Sequence, residues 1–73
     1  MVHMFQGSQD AWAYTYDRSG ANLPARYRPW RYVESISRSD PRFSVGRDRE
    51  EMLTVDRQGY SVTLIHLTIQ RVP

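Results

Sequence analysis

No cysteine occurs anywhere in the 73 residues, and for a chain this short that absence constrains the fold more than any residue present. A domain of this length buries a small share of its surface, and many such domains add disulfides, a metal or a partner subunit. Here disulfides, thiolate zinc sites and cysteine nucleophiles are excluded outright. Imidazole is supplied only by His3 and His66, far apart in sequence, so no structural metal and no cofactor is expected. The core must come from apolar faces alone, and a partner chain is the natural source of further burial. Lack of cysteine also suits a reducing cytoplasm.

The hydrophobic pattern predicts an α+β domain of order β-β-α-β over residues 10–73. A three-stranded, mainly antiparallel sheet is packed by one helix, and residues 1–9 form a flexible polar segment. The opening Met1 to Met4 carries no functional weight in this reading. In Ala11 to Tyr16 the large rings Trp12, Tyr14 and Tyr16 alternate with Ala11, Ala13 and Thr15, the period of a strand. Asp17 to Gly20 reads as a turn, and Asn22, Pro24 and Pro29 keep residues 21–29 irregular. A second strand is expected over Trp30 to Ser37, ended by Ser39-Asp40-Pro41. A third is expected from Tyr60 to about Arg71. Apolar residues on both its faces suggest a central strand, or one covered on both sides.

The helix is predicted over about 48–58. Asp48 and Glu51 are spaced as in a capping box. Acids in the first turn and Arg57 in the last match the helix dipole. Gly59 is placed to adopt the left-handed conformation after the last turn. Met52, Leu53 and Val55 are the expected buried stripe. Asp56 also falls inside that arc. It is read as a rim position, the alternative being a pairing with an arginine from the sheet.

Three apolar helix residues cannot cover the rings and aliphatic side chains of such a sheet. Segments 21–29 and 38–46 supply Leu23, Tyr27, Phe43 and Val45 as partial cover. Any apolar face left over would mark an interaction surface. The expected one centres on Tyr60, Val62, Leu64 and His66, and a homodimer burying it is the simplest arrangement.

Chemistry is sparse. The four glycines are isolated, so no phosphate loop is present, and no serine sits in a nucleophile elbow. Glu50 and Glu51 are adjacent on a helix and point apart. No catalytic or metal-binding residue is therefore assigned, and an enzyme is not expected. No apolar run reaches the roughly 20 residues of a membrane span, and no secretory signal pattern opens the chain. A bacterial, cytoplasmic protein is the expectation.

All ten basic residues are arginine and the net charge is +2, with acids interspersed. A genome rich in G and C accounts for arginine replacing lysine throughout. One stretch stands apart: Arg26, Tyr27, Arg28, Pro29, Trp30, Arg31 and Tyr32. Alternating guanidinium groups and rings suit single-stranded nucleic acid, where they meet phosphates and bases. The same residue types are favoured at protein interfaces. The chain is thus read as a non-catalytic interaction or regulatory module, self-associating through its sheet. The alternative is single-stranded nucleic-acid binding through residues 26–32.

Overall fold

The computed structural model describes residues 1–65. One helix packs on an antiparallel sheet, as expected for the α+β class. The sheet has four strands, β1 (Val2–Gln6), β2 (Ala11–Thr15), β3 (Arg31–Ile36) and β4 (Tyr60–Leu64), in the order β3-β1-β2-β4. The helix α1 spans Gly46–Gln58, and short 3₁₀ turns occur at Ala25–Tyr27 and Pro41–Ser44.

The additional strand lies in the segment expected to be flexible. Residues 2–6 form β1, which pairs with both β2 and β3. Both of its faces are used. Val2 is buried in the cluster on the helix side with Ile36, Phe43, Met52 and Val55. Phe5 is buried on the other side with Ala13 and Leu23. A strand covered on both faces has no polar side to alternate with, so its signal in sequence is weak. The turn into β2 uses Gln9 and Asp10 at φ 58° and 61°, with Gly7 N donating to Ala11 O at 2.8 Å.

In β2 the small residues Ala11, Ala13 and Thr15 are buried and the rings of Trp12 and Tyr14 are half-buried. The alternation is the expected one. Met4, Tyr14 and Phe43 bring rings and thioether under the helix, Tyr14 and Phe43 meeting edge to face at 5.4 Å.

The helix begins two residues earlier than predicted. Val45, in extended conformation, precedes it with no side-chain cap, and Asp48 lies in the first turn. Its end matches the prediction: Gly59 is left-handed at φ 97°, with its N–H on Val55 O at 2.7 Å. The buried stripe is narrower than expected. Met52 and Val55 are fully buried, but Leu53 is 47% exposed. At 3.6 residues per turn, Leu53 lies about 100° from Met52 and further from Val55, so it turns to solvent. Asp56 is an exposed rim residue, and it is also paired: Arg38 Nη2 lies 2.7 Å from its Oδ2, and the Tyr16 hydroxyl donates to Oδ1. Arg38 comes from the turn after β3 rather than from the sheet.

The two segments expected to cover the sheet land on opposite faces. Phe43 joins the helix side, whereas residues 17–30 form a loop layer over the other. Leu23 is buried there, with Trp30, Tyr60 and Val62 packed against the same cluster. A polar knot fastens this layer. Thr15, fully buried, donates to Asn22 Oδ1 at 2.9 Å and lies 3.2 Å from Gly59 O. The last strand is therefore covered on both sides but sits at a sheet edge, not in the centre. Its expected continuation to Arg71 lies outside the described residues.

Candidate binding surface

The loop layer positions the arginine–aromatic stretch. Trp30 is its anchor. The indole Nε1–H donates to Pro24 O at 2.8 Å, satisfying the one polar atom of a half-buried ring. The ring lies against Gly7 so closely that a Cβ there would stand 2.8 Å from it and 2.7 Å from Tyr27 O. Only a residue without a side chain fits that approach. Ser8 N–H donates to Tyr27 O at 2.8 Å, tying the 3₁₀ turn to the β1–β2 connection. The Arg28–Pro29 peptide is cis.

On this frame several of the rings and guanidinium groups meet. Tyr27 meets Trp30 edge to face at 6.1 Å. Arg26 stands over the Tyr27 ring at 5.5 Å. Phe5 meets Tyr32 edge to face at 5.8 Å, and Arg18 stands over the Tyr32 ring at 5.4 Å. Arg31 donates to Gln6 Oε1 at 3.0 Å. Arg26, Arg28, Arg31 and Tyr32 are exposed, and Tyr27 and Trp30 half-buried. A groove of about 540 Å³ runs beside them, lined by Gln6, Gly7, Ser8, Pro29, Trp30 and Arg31.

Asp17, which opens this layer and accepts from the Ser19 N–H and hydroxyl, is its one acid, and the charge beyond it is positive. Residues 18–33 hold Arg18, Arg26, Arg28 and Arg31 and no carboxylate, although the chain has eight acids. The described ion pairs, Arg38–Asp56 and Arg42–Asp40, both lie elsewhere. Arg18 is the member of this cluster that sequence reasoning missed. It is distant in sequence from 26–32, and only the loop layer brings it to Tyr32. Beneath the layer, His3 is buried and its Nδ1 lies 2.7 Å from Ser35 Oγ. Burial, and then the nearby Arg18, hold its imidazole below the ordinary value of 6.5.

The candidate interface residues of β4 are not left as an open apolar face. Tyr60 and Val62 are half-buried against the Leu23 cluster. Leu64 is 39% exposed, and His66 lies outside the described residues.

A smaller cleft of about 180 Å³ opens on the helix side, lined chiefly by Met4, Trp12, Tyr14, Asp48, Glu51 and Thr63. Tyr14 Oη donates to Asp48 Oδ1 at 3.4 Å. Burial, with Asp48 adding to it, raises the Tyr14 hydroxyl above its usual value. Burial likewise raises the Glu51 carboxyl, against the opposing hydroxyl of Thr63. Asp48 is thus engaged by Tyr14, and the exposed Glu50 borders a second, shallower groove with Glu51, Thr54 and Val62. Among the described residues no three histidine or acidic side chains converge as a metal site would need, and no helix is long and apolar enough to cross a membrane.

Comparison with protein-family models, with curated proteins and with solved structures gave no match.

Proposed function

We propose that the protein is a small binding module, not an enzyme, and that the loop layer engages single-stranded nucleic acid. The observation that carries this reading is the segregation of charge: four arginines and no acid over residues 18–33, interleaved with Tyr27, Trp30 and Tyr32. Phosphates would meet the exposed guanidinium groups, and unpaired bases would stack on ring faces bordering the groove. Base-specific readout is not part of the proposal, since stacking and backbone contact tolerate any sequence. An intracellular setting suits both the partner and the cysteine-free composition. A protein-interaction role through the same layer is the competing reading, because arginine and aromatic residues serve both. The run of arginines without an acid over residues 18–33 favours the polyanion.

The test is a titration of a labelled, mixed-sequence single-stranded oligonucleotide at low salt. Wild type should bind, with affinity falling as salt rises. The triple variant Arg26→Gln, Arg28→Gln, Arg31→Gln should bind weakly and lose about 2 from the slope of log K against log salt. Absence of wild-type binding at low salt would remove the nucleic-acid reading.

A further inference from the structure

The two outer edges of the sheet differ. Edge strands are templates for further pairing, and natural proteins guard them with charges, bulges or cover. The β3 edge is guarded. It carries Arg31 and Glu34, and its register with β1 slips between Met4 and Phe5, leaving Val33 as an extra residue. Such a bulge twists the edge away from a partner. Among the described residues the β4 edge has none of these devices. Tyr60, Ser61, Val62, Thr63 and Leu64 include no charge, no proline and no glycine, and they pair with β2 in an unbroken register.

The direction of the backbone groups follows from the ladder. Tyr16 N–H donates to Gly59 O and Ile65 N–H to Asp10 O. Residues 59 and 65 therefore turn their polar groups toward β2. Antiparallel ladders alternate every second residue, so Ser61 and Thr63 do the same. Tyr60, Val62 and Leu64 then point their N–H and C=O groups outward. Among the described residues the one partner found for them is the Gln58 side chain, whose Nε2 donates to Tyr60 O at 3.0 Å.

We propose that β4 pairs with β4 of a second copy of this chain, antiparallel and centred on Val62, to make one continuous sheet. The sequence of the strand is self-complementary in that register. Val62 faces Val62 of the second copy across the two-fold axis, and each shares both of its backbone bonds with the other. Tyr60 faces Leu64, an aromatic–aliphatic pair on the loop side. Ser61 faces Thr63, a hydroxyl pair on the helix side. Both kinds of cross-strand pair are favourable, and every outward backbone group finds a partner. A centre shifted by one residue, to Ser61 or Thr63, still opposes outward groups to outward groups but leaves Leu64 or Tyr60 unpaired. A centre between two residues opposes outward groups to inward ones and forms no ladder. Only the Val62 centre pairs all three outward residues. Leu64 and Ile65, each 39% exposed, lie at the ends of the new seam. Since opposed residues in an antiparallel pair share a face, the two loop layers come to lie on the same side of the joined sheet. The dimer stands on the register of β4 alone and does not rest on the nucleic-acid reading.

The experiment is sedimentation equilibrium of the full chain without nucleic acid, with amide exchange at the same concentrations. Wild type should be a dimer that dissociates on dilution, and the amides of Tyr60, Val62 and Leu64 should lose protection together with it. A synthetic chain with N-methyl-valine at position 62 keeps every side chain and removes only an outward N–H. It should raise the dissociation constant by about ten- to a hundredfold, since both copies lose a central bond. Leu64→Arg should also weaken the dimer by removing the Tyr60 contact. A monomer at the highest soluble concentration would overturn the proposal. So would a dimer indifferent to N-methylation at Val62, or outward amides protected equally in the dilute monomer. Failure of the oligonucleotide titration would leave these readouts unchanged.

Discussion

The sheet is covered on both faces, but by layers of different kinds. On one side the helix presents a stripe of two fully buried residues, Met52 and Val55, joined by Phe43 from a 3₁₀ turn. Its charges are mixed, with arginines and acids alternating along Gly46–Gln58. On the other side a segment with no strand and no α-helix does the covering. Leu23 supplies a buried side chain, and hydrogen bonds from Trp30, Thr15 and Ser8 fix the backbone around it. Beyond Asp17 its charge is all positive. A regular element satisfies its own backbone and needs only an apolar stripe. An irregular one must have its polar groups met individually, and in exchange it can hold rings and guanidinium groups at its surface. The helix layer holds the larger apolar cluster and the loop layer the chemistry on display.

The largest loss of stability is expected in the helix layer. Met52→Ala should destabilise the fold by about 3 kcal/mol, the range for emptying a fully buried site. Leu23→Ala should cost less, about 2 kcal/mol, because its neighbour Trp30 is only half-buried and can settle toward the gap. Denaturant midpoints for the two variants measure the difference, and equal values would show that the layers hold the sheet equally.

The loop layer has its own weak point at Gly7. Gly7→Ala places a methyl within 3 Å of both the Trp30 ring and the Tyr27 carbonyl, and backbone oxygen cannot move aside as a side chain can. A loss of about 2 kcal/mol is expected, typical of overpacking. Trp30 should be displaced with it, read as a red shift of its emission. The helix signal in far-ultraviolet dichroism should persist at low temperature.

Acid should act on the loop side first. The His3 imidazole lies below its ordinary value of 6.5 because burial and Arg18 disfavour its charge. The unfolded chain then binds more protons than the folded one between these two values. Stability from the neutral ring is fully present above about pH 6.5 and is lost as pH falls through the lower, folded value. Thermal midpoints of wild type should fall in that window, and His3→Gln should flatten this limb. The smallest effect is expected at Asp56→Asn. Arg38 and then Tyr16 hold the Asp56 carboxyl below its usual range, but the pair is exposed to solvent and screened by salt. The thermal midpoint should move less than for any variant above.

What the sequence made legible follows the same division. The helix and its end were readable, since Gly59 needs a left-handed backbone and acids and Arg57 mark the two ends. Its start was displaced by two residues because Val45 begins the helix through backbone conformation alone, and Asp48 serves Tyr14 instead of a cap. β1 was hidden by its position between two strands and two layers, where Val2, His3 and Phe5 are all buried and no polar side shows. The alternation of Arg26 to Tyr32 was visible as residue types. Its anchoring was not, because Pro24, Gly7 and Arg18 reach it only through the folded loop. The pairing of Asp56 with Arg38 was one of two open readings, and side chains on separate elements leave no local pattern to decide it. The position of β4 at an edge depends on strand order, which alternation of side chains does not encode.

The two tryptophans report on opposite layers: Trp12 lines the cleft beside the helix and Trp30 the groove in the loop layer. Single-tryptophan variants, Trp12→Phe and Trp30→Phe, therefore separate the two surfaces in one titration. Adding a mixed-sequence single-stranded oligonucleotide at low salt to Trp12→Phe should quench the Trp30 emission as bases stack beside it, and added salt should reverse the quenching. The Trp12 emission in Trp30→Phe should stay unchanged over the same range. Quenching of Trp12 with Trp30 unaffected, or no response from either, would contradict the assignment of binding to the loop layer.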